Sequence, residues 1–290
     1  MNRRGTLRRC ANSLYTLPAM ILLFMFLIVP LGYTVYCGMY QYKYMVKGNF
    51  MGLENFIYCL TDETIISSFL TTFLITFVAT AISIVLGLLL ALWIDSRTGW
   101  FSYLIEMIGL IPWVISMVVA GLLWRWLFHA DLGLFNVFIK AIGLDPINVI
   151  QQKVPAVIAL IFVMSWRTIG YAMIMILAGL KGLDHTLLEA AKVDGASPIQ
   201  TLFRIKLPLI KSSVLLSTIV LTVSNFTNNT VPKVLTNGGP LNATNVITLQ
   251  QYNMSFTYYE FGRSSALSVL VMIVTVIIIA CYMKVAKYEL

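Results

Sequence analysis

The sequence is poor in charged residues. Asp, Glu, Lys and Arg make up 11% of its 290 residues, whereas an average soluble domain has about 25%. Hydrophobic residues make up 59%, and the mean hydropathy is +0.85. A water-soluble protein of this composition would have too little charge to cover its surface, so the composition excludes that class. The apolar residues come in long runs, which indicates a protein that crosses a membrane several times.

Residues that support metal, redox or phosphate chemistry are also scarce. The four cysteines are scattered without a Cys-x-x-Cys pair, and the two histidines lie far apart. These spacings favour neither a zinc site nor a disulfide framework. The sequence has no G-x-x-x-x-G-K-[ST] phosphate loop, nucleophile elbow or H-E-x-x-H motif. We therefore expect no catalytic residue, metal or cofactor on this chain and do not expect an enzyme.

Six apolar runs are long enough to cross a membrane, since a helix needs about 20 apolar residues to cross a core about 30 Å thick. The sequence therefore predicts an all-α, polytopic membrane protein with about six transmembrane helices. The fifth run is the weakest, because asparagines interrupt its end. The predicted spans are Leu17–Cys37, Leu70–Ile94, Leu104–Trp124, Pro155–Ala178, Val214–Val231 and Ser265–Met283.

The Lys and Arg residues predict the orientation of these spans. With the N-terminus inside, twelve lie in cytoplasmic segments and six in outer segments, so we expect both termini in the cytoplasm. Basic loops then explain the net charge of +8 better than nucleic-acid binding does. The first run follows four arginines, as a signal peptide would. It is longer than a signal core and has no small-x-small cleavage site, which favours a retained helix.

The predicted cytoplasmic loop over residues 182–211 contains signals for two short helices. Asp184 can cap a helix over Thr186–Asp194, and Gly195 suits the left-handed residue that ends it. Ser197 and Gln200 then form the pattern of a capping box at the start of a second helix.

The second helix should carry Ile199, Leu202 and Phe203 on one face. A slim, bent protrusion with an apolar face suits a groove in another protein. An amphipathic segment lying on the bilayer surface is the alternative, and the pattern alone leaves both open.

Two stretches of sequence resemble a known family. The loop residues Glu189, Ala190, Ala191, Asp194, Gly195 and Ala196, followed by Phe203, closely resemble the "EAA" loop of binding-protein-dependent ABC importer permeases. Asn237-Gly238-Gly239-Pro240 and the later Phe261-Gly262-x-x-Ser265-Ala266-Leu267 resemble the sugar-permease branch of that family, in which glycine is more usual at the position of Asn237. The likeness covers the chain from about residue 66 to its end.

The resemblance implies a type I ABC importer permease fold in a bacterial cell membrane. Residues 1–65 would form a cytoplasmic tail, the first transmembrane helix and an outer segment, and residues 66–290 the transmembrane domain with coupling loop 182–211. The implied partners are a second permease subunit, two cytoplasmic ABC ATPase subunits that bind ATP and Mg, and an extracytoplasmic solute-binding protein. The seven loop residues named above would contact the ATPase.

Polar and aromatic residues inside the spans are candidates for the substrate pathway. In the fourth span these are Trp166, Arg167 and Tyr171. Arg167 could face a pathway or form a structural pair with Glu106, and both interpretations stay open. In the fifth span the candidates are Asn225 and Asn228, whose amides match sugar hydroxyls but also join helices in lipid.

The turn Asn237-Gly238-Gly239-Pro240 would by resemblance lie outside, where a binding protein docks, although a plain turn explains the same residues.

The expected substrate is a sugar or oligosaccharide. One cationic pathway residue favours a neutral sugar over a phosphorylated solute, and a glycerol-phosphate-like polyol is the alternative. An ion-coupled secondary transporter is a third reading, but such proteins often show intramembrane carboxylates and repeated halves. Only Glu106 lies within a predicted span, and no repeat is visible.

Overall fold

The computed structural model describes residues 16–97 and 99–289, without the side chains of residues 185 and 285–289. The predicted N-terminal tail, residues 1–15, lies outside the described residues. Among the described residues, four helices are long and apolar enough to cross a membrane, and the number rises to six if each of two bent helix pairs is one span. The prediction of a largely helical, multi-pass membrane protein is confirmed.

The described elements follow one another in this order: α1 Thr16–Gly38, β1 Tyr40–Lys43, β2 Val46–Phe50, α2 Glu54–Thr61, α3 Glu63–Asp95, α4 Trp100–Val114, α5 Met117–Leu127, α6 Leu134–Ala141, α7 Lys153–Lys181, α8 His185–Val193, α9 Pro198–Leu209, α10 Lys211–Phe226, α11 Thr230–Leu235, α12 Ile247–Phe256 and α13 Phe261–Glu289. The predicted spans one, two, four and six fall within α1, α3, α7 and α13.

The third and fifth spans are not the single straight helices that the sequence predicts. The third is split into α4 and α5, which meet at 95° where Ile115 and Ser116 have extended backbone. Pro112 has no N–H to donate in the last turn of α4, which weakens that turn. The fifth is preceded by α9, bent by 63° from α10, and it ends at Phe226 instead of Val231.

The described chain divides into two compact units. One contains the residues up to Asp62 together with Gln251–Ile273, and the other contains Glu63–Gln250 and the residues from Val274 onward. The predicted boundary at residues 65 and 66 is not the same division, since Gln251–Ile273 group with the N-terminal segment. That boundary stays a prediction.

The first unit contains a β-hairpin that the sequence analysis did not predict. Strands β1 and β2 pair antiparallel, and the turn between them uses Tyr44 and Met45 with φ values of 50° and 61°. Left-handed residues suit a tight hairpin, but the usual Asn or Gly signal is missing here. Gly262 of α13 lies against β1 so closely that a Cβ would be 2.3 Å from the Tyr40 carbonyl oxygen.

Charged and polar groups hold the first unit together. Glu260 accepts ion pairs from Lys43 at 3.4 Å and from Arg263 at 3.2 Å. The Arg263 guanidinium also lies 3.8 Å from the centre of the Tyr58 ring. Burial raises the pKa of the neighbouring Cys59 thiol to about 11, so this thiol stays protonated at neutral pH.

The second unit is built on the pair α3 and α7. The buried face of α3 is a stripe of small residues at nearly four-residue spacing, which allows a close approach of α7. The Ser83 and Thr168 hydroxyls lie 2.7 Å apart across this contact. A Cβ on Gly87 would lie 2.6 Å from the Ala172 Cβ. The stripe consists of Thr72, Thr76, Ala79, Thr80, Ser83, Gly87 and Ala91.

Helix α7 is the centre of the second unit. In its most apolar 18-residue stretch 56% of the residues are buried, whereas in α1 the share is 6%. Because α7 is enclosed by protein, polar groups on it can be held in defined positions. Most of the large apolar side chains of α1 are exposed.

Replacing Gly87 by Ala should destabilise the second unit, because the new methyl group would lie only 2.6 Å from the Ala172 Cβ. At that distance the two atoms clash, so one of the two helices must shift. We expect a loss of about 1–3 kcal/mol, typical of overpacking. Thermal unfolding of the purified protein in detergent measures it. Gly32→Ala is the matched control, since a Cβ there meets no atom within 4 Å. Equal melting temperatures for both variants would show that this helix contact is not tight.

Candidate functional site

The first half of the loop over residues 182–211 forms the predicted helix and turn. The Thr186 N–H donates to the Asp184 carboxylate at 2.9 Å, so Asp184 caps α8 as predicted. After α8, Gly195 adopts a left-handed φ of +75°. The N–H of Ala196 donates to the Ala191 carbonyl at 3.0 Å, which closes the turn.

The second half of the loop begins with the predicted capping box. The Ser197 N–H donates to Gln200 Oε1 at 2.9 Å, and the Gln200 N–H donates to Ser197 Oγ at 3.3 Å. The helix that follows is not a regular α-helix throughout, because Leu202–Lys206 adopt a π-helical turn. The sequence analysis missed this turn, which lies between Pro198 at the start and Pro208 near the end of α9.

The exposed part of this loop combines apolar and acidic side chains, and we name it the loop surface: Glu189, Ala190, Val193, Asp194, Ile199 and Phe203. Phe203 is 63% exposed and Ile199 70% exposed, although both are large and apolar. Ala191 points inward and is buried. The sequence analysis missed Val193, which is 87% exposed. Its spacing of four from Glu189 places it on the same helix face, and this signal could have identified it.

An ion pair ties the loop to the spans. Lys206 Nζ of α9 lies 2.6 Å from Asp95 Oδ2 at the end of α3, and both side chains are mostly buried, with 22% and 20% of their surfaces exposed. The contact links the second loop helix directly to the pair of central helices.

Arg167 lies in the interior of α7 and is 7% exposed. Its guanidinium carbon lies 5.1 Å from the centre of the Trp113 ring, and that ring lies 4.6 Å from the ring of Tyr171. The expected alternative of an Arg167–Glu106 pair is wrong, because Glu106 pairs with Lys181 at 3.7 Å. Arg167 forms no ion pair with any residue in the described ranges.

The other three pathway candidates have partners within the second unit. The Trp166 ring lies 5.3 Å from Trp124, edge to face. Asn225 Nδ2 donates to Thr80 Oγ1 of α3 at 3.1 Å. Asn228 Oδ1 accepts the backbone N–H groups at the start of α11, at 3.0 and 3.1 Å. The structure therefore brings Arg167 and Tyr171 together through Trp113, while each asparagine has a structural hydrogen bond.

The predicted docking turn is a tightly bonded loop. Asn237 and Gly238 adopt left-handed φ values of 50° and 81°. The buried Thr244 hydroxyl donates to the Gly239 carbonyl at 2.7 Å and lies 2.6 Å from the hydroxyl of Thr236.

The exposed residues of this loop flank the middle of the predicted turn. Asn237 is exposed, Gly238 is buried, Gly239 and Pro240 are half-buried, and Leu241, just beyond the turn, is 82% exposed. The sequence analysis missed Leu241, because a leucine next to a turn signal has no pattern that marks it as exposed.

Multiple apolar spans, one buried cation in their interior and a two-helix loop with an exposed surface define a multi-pass membrane transport subunit. The chain belongs to the family described as "Binding-protein-dependent transport system inner membrane component", which matches residues 83–287. This confirms the resemblance identified from the loop residues. It also makes the chain a transport component and not an enzyme.

Two relatives and one solved structure illustrate the likeness. The trehalose/maltose transport system permease protein MalF of Thermococcus litoralis is 28% identical, covering 95% of this chain and 93% of its own. The sn-glycerol-3-phosphate transport system permease protein UgpA of Salmonella typhimurium is 29% identical, covering 90% of this chain and 88% of its own. A bacterial alginate ABC transporter, solved in complex with its alginate pentasaccharide-bound periplasmic protein, contains a chain with a TM-score of 0.81, 20% identity and coverage of 97% and 96%. The fold is that of a type I ABC importer permease.

Reversing the charges of Lys206 and Asp95 tests the anchor of the loop. Lys206→Asp or Asp95→Lys alone replaces the 2.6 Å ion pair by two like charges and should weaken the coupling of ATP hydrolysis to transport. The double exchange restores the pair and should recover most of the loss, with an interaction energy of about 1 kcal/mol for a partly exposed pair. ATP consumed per solute transported is the measurement. If the effects of the two substitutions on this ratio are additive, the ion pair does not contribute to coupling.

Proposed function

We propose that this chain is one of two membrane-spanning subunits of an ATP-driven importer for a sugar or oligosaccharide. An extracytoplasmic binding protein delivers the solute. The family membership supports the transport role. Two relatives are named for the transport of trehalose and maltose and of glycerol phosphate, and the solved structure is an alginate importer. These names support a carbohydrate or a related polyol as the substrate of this chain.

The loop geometry is the observation that carries the mechanism. Helix α8, the left-handed Gly195 and α9 form a bent protrusion whose apolar side chains Val193, Ile199 and Phe203 are exposed to solvent. Exposed apolar groups beside acidic ones are typical of a docking surface. A cytoplasmic ABC ATPase with a complementary groove is the proposed partner, and ATP and Mg bind to that ATPase.

Two contacts would transmit movement of the loop into the membrane. Helix α9 continues into α10 after a single residue, and Lys206 holds α9 to Asp95 of α3. Because α3 packs closely on α7, displacement of the loop by ATPase closure moves the central pair with it. The pathway then changes from inward-open to outward-open, so that the binding protein can release its solute into it.

The remaining assignments follow from this scheme. The coupling loop lies in the cytoplasm, which places both termini there and agrees with the excess of Lys and Arg in the same segments. The loop around residues 237–241 then faces the binding protein outside. Five side chains of α7, α10 and the link that follows α10 line or support the route of the solute: Trp166, Arg167, Tyr171, Asn225 and Asn228.

A glycerol-phosphate-like polyol is the second candidate substrate, and one relative of that name supports it. An ion-coupled secondary transporter is disfavoured by the family membership.

Substitutions at the loop should separate ATP hydrolysis from transport. Gly195→Pro removes the left-handed residue of the turn, and Glu189→Lys reverses a charge on the loop surface. Both variants should reach the membrane in normal amounts but lose most of their uptake. Uptake of labelled solute and membrane abundance, measured in the same cells, are the readouts.

Gly195→Asn is the matched control, since asparagine tolerates the left-handed region far better than other residues with a side chain. No atom of the described residues lies within 4 Å of a Cβ at this position, so within this chain backbone conformation alone decides the effect. Normal uptake by Gly195→Pro and Glu189→Lys at unchanged abundance would refute the coupling role.

A further inference from the structure

Arg167 is a charge buried at the middle of a membrane-spanning helix. Helix α7 runs from Lys153 to Lys181, so Arg167 lies at its midpoint. The residue is 7% exposed. A buried charge costs several kcal/mol unless another group compensates it, and such residues in membrane proteins face cavities or partners.

Several other charged groups near the ends of these spans have partners within the second unit. Glu106 pairs with Lys181 and Asp95 pairs with Lys206. Arg125 donates to the Val234 carbonyl at 3.3 Å. Arg167 differs from all of these, because its enclosed Nε–H has no acceptor among the described residues.

The surroundings of Arg167 are rigid and aromatic. Helices α4 and α7 cross so closely that a Cβ on Gly170 would lie 2.0 Å from the Gly109 carbonyl oxygen. One turn beyond this crossing, the Trp113 ring covers the Arg167 guanidinium and also contacts Tyr171. The ring stabilises the cation by a cation–π contact but accepts no ordinary hydrogen bond from it.

A ligand that carries hydrogen-bond acceptors can supply the partner that Arg167 lacks among the described residues. Arg167 is not fully enclosed, since 7% of its surface stays accessible. A guanidinium offers parallel N–H groups that match the two oxygens of an oxyanion. Trp113 and Tyr171, both half-buried, offer apolar faces on which a sugar ring can stack.

We propose that the transported solute is an acidic sugar, with one carboxylate or sulfonate that binds Arg167 while its ring stacks against Trp113 and Tyr171. The inference rests on the proposed transport function and makes its substrate class more specific. It replaces the neutral sugar expected from the sequence, because one uncompensated cation matches a solute with one negative charge. A carboxylate of the second permease subunit is the competing partner for Arg167.

Two sugars that differ only in the acidic group test the proposal. Methyl β-D-glucuronide carries a carboxylate where methyl β-D-glucoside carries a hydroxymethyl group. Equilibrium binding of each is measured on the importer, assembled with its partner subunits in nanodiscs without nucleotide or binding protein. Wild type should bind the glucuronide at least about tenfold more tightly, as a charge-assisted hydrogen bond predicts.

Substitutions then assign the preference to Arg167. Arg167→Gln should abolish this preference, so that the two sugars bind with similar affinity, and Arg167→Lys should keep part of it. Arg97→Gln is the matched control, because Arg97 also covers a tryptophan ring, Trp93, at 4.9 Å but lies exposed at the end of α3. This control should keep the full preference.

Three results would overturn the proposal. The first is wild type that binds the two sugars equally or binds neither. The second is an unchanged preference in Arg167→Gln. The third is failure of both Arg167 variants to assemble, which would assign Arg167 to a partner subunit. In each case ATP-driven uptake by the wild-type importer would leave the proposed function intact, whereas loss of that uptake would refute the function itself.

Discussion

The structure depends on one close contact between two helices, α3 and α7. In lipid, apolar side chains gain little by meeting each other, so helices associate through close packing and short hydrogen bonds. Gly87 lets α3 approach Ala172 of α7, and the hydroxyls of Ser83 and Thr168 bond across the contact. A second close crossing, between Gly109 and Gly170, positions α4 on the other side of the same helix. Larger residues at these points would separate the helices that carry the polar groups.

This arrangement links the loop to the interior of the membrane. Lys206 connects the loop to Asp95 at the end of α3, and α3 lies against the helix that carries Arg167. The groups that would move together are therefore in contact within one compact unit. A rigid contact between small residues transmits displacement well, because a close-packed interior has little free volume to absorb it.

The caps and the glycine turn of the loop were predictable from the local sequence. Asp184, Gly195 and the Ser197–Gln200 pair act through hydrogen bonds and φ values that span at most four residues, so the local sequence contains the needed information. The apolar runs were predictable for a similar reason, because length and composition decide whether a helix can cross a membrane. The break between α4 and α5, the hairpin at Tyr44 and the π-helical turn in α9 were not predicted. In the hairpin the turn residues lack their usual signal, and the contact of Tyr40 with Gly262 of α13 joins residues about 220 positions apart.

The sequence by itself determined that the chain crosses a membrane several times, carries a two-helix loop and belongs with importer permeases, because each of these depends on local composition or on an ordered motif. Only the tertiary structure decided which charges find partners. Glu106 pairs with Lys181, whereas Arg167 lies under the Trp113 ring without an ion-pair partner among the described residues. The crossing of α4 and α7 at two glycines determines which of these side chains can meet. Such pairings depend on helix positions in three dimensions, and spacing along one chain does not contain them.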